Sequence, residues 1–120
     1  HVTALEQALH GLRQALDSPR RHLMWRWLVR HRMSGVKEAL AVEHLRGGDA
    51  WLAARESALR RERDALLRRL SELGPQVLDA ADVEPVRRDL HRLLGDLERH
   101  RQRLNDLVYD TVAMELGGSE

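Results

Sequence analysis

The sequence predicts an all-α protein, an antiparallel helical bundle of three long helices plus a short N-terminal helix with coiled-coil-like hairpin packing. Charged residues make up 32% of the 120 residues and aromatic residues only 3%, and a leucine- and arginine-rich composition of this kind is typical of long helices. No strand-like alternation or hairpin dipeptide occurs. The length is that of one domain, so we expect a single helical domain over residues 1–120.

Four stop or start signals set the predicted helix boundaries. They are Ser18-Pro19, Gly47-Gly48-Asp49, Gly74-Pro75 and Gly117-Gly118, which combine N-cap, N1 proline and C-terminal glycine signals. The predicted helices span about residues 2–16, 19–46, 50–73 and 83–116. Residues 76–82 are predicted to form a loop or one loose turn, with Asp82 and Glu84-Pro85 beginning the last helix.

The first helix has a single apolar stripe, and we therefore expect it to pack on one partner surface. The stripe consists of Leu5, Ala8, Leu9, Leu12 and Leu16.

The second helix has two apolar faces. One face carries Met24, Trp27, Leu28, His31, Gly35, Val42 and Leu45, and the nearly opposite face carries Trp25, Val29, Val36 and Leu40. The tryptophans diverge by about 160°, whereas a membrane-surface helix gathers its apolar residues on one side. This pattern argues against a membrane and predicts a helix that lies between the hairpin and either the first helix or a second chain.

The third and fourth helices carry heptad seams and are predicted to form an antiparallel hairpin. The third repeats leucine at Leu52, Leu59, Leu66 and Leu73; the seam of the fourth is Val86, Leu90, Leu93, Leu97, His100, Leu104, Leu107, Thr111 and Met114. With a turn at Gly74, residues 107–116 extend past the third helix. Bare apolar residues there would mark an interface, so we expect a homodimer.

Three charged residues interrupt the apolar stripe of the third helix. Arg55, Glu62 and Arg69 are spaced by sevens, and buried charges need partners. Expected partners are Glu38 and His100 for Arg55, Arg30 or His31 for Glu62, and Asp89 for Arg69. We interpret the row as interhelical ion pairs that fix helix register; the alternative is a polar pocket for a small anion.

Positive charge is concentrated in the second helix. Six lysines and arginines and no acid lie between Pro19 and Lys37, in a chain whose net charge is only +1. Arg26, Arg30 and Lys37 share one helix edge and could follow a phosphate backbone. An electrostatic binder of nucleic acid or of a phosphorylated small molecule is therefore the alternative function.

No catalytic, cofactor or metal site is predicted. The chain has no cysteine, and it contains no Glu-x-x-His or His-Glu-x-x-His pair, no nucleophile elbow and no phosphate-binding glycine loop. It also lacks an apolar run of about 20 residues and a signal pattern, so a cytoplasmic location is expected.

These observations favour a non-enzymatic helical module for protein interaction or dimerisation, in which an apolar seam flanked by arginines takes a partner helix. The expected contact residues are the large apolar side chains Trp25, Trp27, Leu107, Met114 and Leu116.

Overall fold

The computed structural model describes residues 3–18, 22–42 and 50–117, and these residues form four helices without a strand. The helices are α1 (Ala4–Asp17), α2 (His22–Ala41), α3 (Ala50–Asp79) and α4 (Glu84–Gly117). The all-α prediction is confirmed. The predicted boundaries at Pro19 and near Arg46, and the Gly47-Gly48-Asp49 and Gly118 signals, lie outside the described residues.

The four helices form an elongated antiparallel bundle of 60 × 26 × 19 Å. Contacts join α1 to α2, α2 to α3, α3 to α4 and α4 back to α1. Positions that rise along one helix meet positions that fall along its neighbour, so the neighbouring helices run in opposite directions. The contacts that show this are Arg55–Asp110 with Arg69–Asp96, Glu6–Arg101 with Arg13–Glu98, and Arg26–Leu78 with Arg30–Gly74.

One leucine-rich core runs through the region where all four helices meet. From α2 it takes Trp25, Val29, Met33, Val36 and Leu40. On the other apolar face the described side chains of Met24, Leu28 and Val42 are exposed, as is Trp27 with 60% of its surface open to solvent. The prediction that α1 would cover one apolar face of α2 and the hairpin the other is wrong, because α1 and α3 both pack on the Trp25 side. The alternative, a second chain on the other face, stays a prediction.

A polar residue caps each end of α1. The Thr3 hydroxyl accepts a hydrogen bond from the Glu6 backbone N–H at 3.1 Å, which makes Thr3 the N-cap. Ser18 closes α1, since its hydroxyl donates to the Ala15 carbonyl at 2.7 Å.

The predicted stop at Gly74-Pro75 is wrong, because α3 continues through Pro75 to Asp79. Proline removes one helical hydrogen bond and crowds the preceding turn. Here its ring lies on the exposed side of α3, while Val77 on the following turn is fully buried in the core. The Gln76 side chain also donates to the Glu72 carbonyl at 3.2 Å. Burial of that extra turn outweighs the local cost, and the connection to α4 shifts to residues 80–83.

Arg26 of α2 binds the carbonyl groups at the end of α3. Its Nη1 donates to the carbonyl oxygens of Ala80 at 2.6 Å, Leu78 at 3.2 Å and Val77 at 3.4 Å. The last carbonyls of a helix have no partner within the helix and carry partial negative charge. The arginine therefore replaces the terminal glycine cap that the sequence predicted four to five residues earlier.

Gly74 has a different role from that of a helix stop: it makes room for Arg30. A Cβ atom at this position would lie only 3.0 Å from Nε of the Arg30 guanidinium group. On the other side of α2, Arg32 lies in the same way against Gly11 of α1. Glycine on each neighbouring helix thus lets an arginine of α2 pack flat against it.

The later turn changes the outer end of the molecule. Leu107, predicted to be bare, is 4% exposed and packs with Leu52 and Leu59 in a second small core. The prediction was wrong because the extended α3 brings its beginning opposite the end of α4. We call the end formed by residues 50–60 of α3 and 105–117 of α4 the two-helix arm, and the remainder the four-helix body.

Replacing Arg26 with methionine should lower the free energy of unfolding by about 1–2 kcal/mol, because three carbonyls at the end of α3 lose a charged donor. Urea denaturation measures the change. Lys37→Met, on the same edge of α2 but exposed, should alter stability by less than about 0.5 kcal/mol. Equal effects of the two substitutions would contradict the capping role.

Candidate functional site

Three ion pairs cross from α3 to α4 in a regular ladder. They are Arg55–Asp110 at 2.7 Å, Glu62–Arg103 at 2.5 Å and Arg69–Asp96 at 2.6 Å. Each pair lies seven residues further along α3 and seven residues back along α4, which is the spacing of an antiparallel heptad interface. The sign alternates, with the cation on α3, then on α4, then on α3.

The middle pair reaches into the core through His100. Arg103 donates twice to the Glu62 carboxylate, and Nδ1 of His100 lies 2.6 Å from the Glu62 Oε1 atom. An ionised carboxylate only accepts, so the His100 Nδ1–H donates. His100 is fully buried in the leucine seam of α4. Burial works to raise the pKa of Glu62, but the hydrogen bonds from Arg103 and His100 outweigh it and lower the pKa below 4.5.

Asp96 is held by two arginines. The hydrogen bond from Arg69 is the largest cause of a lowered Asp96 pKa. Partial burial opposes it, and Arg99 on the following turn of α4 contributes a second hydrogen bond. Both carboxylates are therefore stabilised in their charged form by the folded arrangement.

The ladder distinguishes between helix registers that the leucines alone would permit. Leucines that repeat every seven residues on α3 pack equally well after a slip of one heptad. Such a slip would place Arg55 opposite Arg103 and Glu62 opposite Asp96. Like charges facing each other disfavour the slipped pairing. The alternation of sign thus favours one register.

The predicted partners of this row were wrong. Arg55 pairs with Asp110 rather than with Glu38 or His100, and Arg69 pairs with Asp96 rather than Asp89. Because the hairpin turns at residues 80–83 and not at Gly74, Arg55 and Arg69 meet positions of α4 that lie ten and seven residues beyond the predicted partners His100 and Asp89.

The second helix also contributes nothing to the ladder. Glu62 contacts neither Arg30 nor His31, and both Glu38 and His31 are exposed on α2. They therefore do not belong to a buried polar network.

The predicted contact residues separate into buried and exposed groups. Trp25 and Leu107 are 3% and 4% exposed, so they belong to the cores and cannot act as open contacts. Trp27 and Leu116 are exposed. The side chain of Met114 lies outside those that the structure describes.

Exposed apolar side chains of α2 form one compact surface, which we call the Trp27 face. It consists of Met24, Trp27, Leu28 and His31, all exposed on successive turns. Arg30 lies on its α3 edge and Arg32 on its α1 edge, each packed against a glycine of the neighbouring helix.

Positive charge around the Trp27 face is not neutralised by carboxylates. Within residues 3–18, 22–42 and 50–117, every ion pair joins residues of α1, α3 and α4, and none involves α2. Arg26 binds carbonyl oxygens, and Arg30 donates to the Ser34 hydroxyl at 2.8 Å. Lys37 is exposed.

The predicted anion-binding row is therefore incomplete as a phosphate surface. Arg26 and Arg30 are engaged in packing α2 against α3, which leaves Lys37 as the exposed member of the three.

No protein-family model, curated protein or solved structure matches this chain. Within the described part of the chain, no three histidine, aspartate or glutamate side chains converge as metal ligands. None of the helices in that part has the combination of length and apolar character needed to pass through a bilayer. The fold and surfaces define an all-α antiparallel four-helix bundle with a charged ladder inside its longer hairpin.

Reversing one charge of the ladder should destabilise the protein, and reversing both should restore it. Arg55→Asp faces Asp110 with a like charge and should lower the free energy of unfolding by about 1 kcal/mol, since the pair is partly exposed. Adding Asp110→Arg should recover most of the loss in a double-mutant cycle measured by urea denaturation. Arg61→Asp, exposed on the same helix, is the matched control. Additive losses in the double variant would show that the pair contributes nothing.

Stability should fall as the pH drops below about 4.5. The folded pKa values of Glu62 and Asp96 lie below 4.5 and 3.8, so the unfolded chain binds protons first and the contribution is lost as pH falls through the folded values. Thermal unfolding between pH 6 and about pH 3 should show a shallower decline in the Glu62→Gln, Asp96→Asn variant. Glu38→Gln, which leaves the ladder intact, should keep the wild-type slope; an unchanged slope in the double variant would refute this origin.

Proposed function

We propose that this chain is a cytoplasmic, non-enzymatic protein-interaction module that forms a homodimer and binds an acidic amphipathic helix of a partner protein through the Trp27 face. One observation carries the proposal: an exposed tryptophan stands among apolar neighbours and among cations that have no carboxylate partner in the described chain.

The Trp27 face has the spacing of a helix-recognition surface. Residues 24, 27, 28 and 31 follow the i, i+3, i+4, i+7 pattern by which one helix presents anchors to another. Tryptophan is enriched among the residues that carry most of the binding energy in interfaces. The opposite side of α2 is packed in the core, so these anchors are already held in place and little ordering is required on binding.

The charges around this face indicate the chemistry of the partner. Arg30 and Arg32 border the apolar residues on either side, and Lys37 is exposed further along. A helix with an apolar stripe and glutamates or aspartates beside it would match both features. Complementary charges of this kind set orientation and speed association more than they add affinity.

The alternative function is electrostatic binding of nucleic acid or of a phosphorylated small molecule. The same unneutralised cations support it. Against it, Arg26 binds carbonyl oxygens at the end of α3, and an exposed tryptophan flanked by Met24 and Leu28 favours a partner with an apolar surface.

The two best candidates for acid–base chemistry are both engaged in contacts within the fold, which supports a non-enzymatic function. Glu62 and His100 bind each other, and Arg103 occupies the remaining side of the carboxylate. These contacts give both groups a structural role at the α3–α4 interface.

A labelled synthetic amphipathic peptide, with a leucine stripe flanked by glutamates, should bind the protein in a fluorescence-anisotropy titration. Trp27→Ala should weaken binding by about tenfold or more, because it removes an anchor worth roughly 1.4 kcal/mol or more. Tyr109→Ala, which removes an even more exposed aromatic side chain on the arm, should leave the affinity unchanged.

The matched peptide with lysines in place of the glutamates should bind at least tenfold more weakly. Equal affinities for the two peptides, or no effect of Trp27→Ala, would contradict the proposal. An oligonucleotide whose affinity falls linearly with salt on a log–log scale and is reduced in Lys37→Ala would favour the alternative.

A further inference from the structure

One side of the arm is an apolar helix surface that continues the part of α4 covered by α1. Arg101 and Glu98 of α4 pair with Glu6 and Arg13 of α1. One heptad beyond Arg101, the same position of α4 is occupied by Val108. One and two heptads beyond Glu98, the same position is occupied by Asn105 and Val112. α1 begins at Ala4, beside Leu104 and Val108, and does not extend along the arm.

This surface, which we call the arm stripe, is open in the single chain. It comprises Asn105, Val108, Tyr109, Val112 and Leu116. Val108, Tyr109 and Val112 are 60%, 74% and 48% exposed. None of its members is charged, in a chain where about a third of the residues are charged.

A shallow groove with a small-residue floor runs along the body between α1 and α2. We call it the body groove; its lining includes Ala4, Ala8, Gly35, Ala39 and Val42. A Cβ atom at Gly35 would meet nothing within 4 Å, so the groove is open enough for the side chains of another helix to approach. Glu38 is the single charged residue of its lining.

The arm stripe and the body groove meet at one corner. Val42 and Val108 both line an apolar recess of about 280 Å³, together with Leu5 and Leu104. The arm extends from this corner in one direction and the groove in the other. The molecule therefore has the outline of a step at this corner, with bulky apolar side chains on the arm stripe and small side chains in the body groove.

We propose that a second copy of this chain fills the step, so that the arm stripe of each protomer lies in the body groove of its partner around a twofold axis at the Val42–Val108 corner. This inference gives the geometry of the homodimer and rests on that part of the proposed function. A twofold arrangement is closed, because every contact occurs twice and no stripe or groove remains unused.

Three features favour a second copy over another occupant. Valine, leucine and tyrosine side chains on the stripe match the alanine and glycine floor of the groove, and both surfaces belong to this chain. The described side chains of the stripe carry no charge that would attract an ionic partner. Twofold pairing uses two stripes and two grooves, so it buries twice the area of a single stripe-in-groove contact.

Two single substitutions test this geometry by breaking opposite halves of the contact. Val112→Glu places a charge on the stripe, and Gly35→Arg places a long side chain in the groove. Position 35 has room for a side chain, and arginine favours a helix more than glycine does, so the fold should be retained; circular dichroism checks this. Each variant alone should dimerise at least tenfold more weakly than wild type in sedimentation equilibrium.

An equimolar mixture of the two variants should recover dimers. In the mixed dimer one contact joins Val112→Glu to Gly35→Arg with opposite charges, and the other contact is wild type. Ala54→Glu, exposed on the arm and about 200° around α3 from the buried Leu52, should dimerise like wild type.

Other outcomes would overturn the proposal. A wild-type chain that stays monomeric at high micromolar concentration has no such interface. Variants that dimerise normally place the interface elsewhere, and a mixture that stays monomeric excludes the stripe-in-groove arrangement. Peptide binding at the Trp27 face does not depend on the dimer, so Val112→Glu should still bind the acidic peptide, and failure of one proposal is separable from failure of the other.

Discussion

The antiparallel register of α3 against α4 is the constraint on which the rest of the structure depends. Leucines supply most of the apolar burial along this interface, but their seven-residue repeat does not choose between slipped alignments. The alternating pairs Arg55–Asp110, Glu62–Arg103 and Arg69–Asp96 make that choice, because a slip brings like charges together. Their individual energies are modest, since they are partly exposed, so their main effect is on specificity. The same register encloses His100 and pairs the arm's two helices.

Packing decides the role of several residues whose local preference points elsewhere. Pro75 is a poor residue for a helix interior, yet the helix that contains it is held by Val77 in the core and closed by Arg26 from α2. Gly74 serves the close approach of Arg30 rather than a turn. The arginines on the edges of α2 thus join helices, while the apolar residues between them are directed outwards.

The two exposed apolar surfaces differ in charge, and this difference separates their proposed partners. The Trp27 face is bordered by cations that lack carboxylate partners within the described residues, which suits an acidic helix. The arm stripe is uncharged and faces a step lined by small residues of the same chain, which suits a second copy. The Trp27 face uses residues 24–31 of α2 and the body groove uses residues 35–42, so the two proposed contacts occupy successive segments of this helix.

The sequence by itself determined the all-α class, the existence of four helices and the heptad row of Arg55, Glu62 and Arg69, because periodicity is a local property of the chain. Asp96, Arg103 and Asp110 repeat with the same spacing on α4 and were the signal that would have identified the partners. Only the tertiary structure decided where the hairpin turns, since burial of Val77 and capping by Arg26 outweigh the local effect of Pro75. That turn fixes which residues of α3 and α4 face each other and buries Leu107. The packing of α1 and α3 on one side of α2 separately leaves Trp27 rather than Trp25 at the surface.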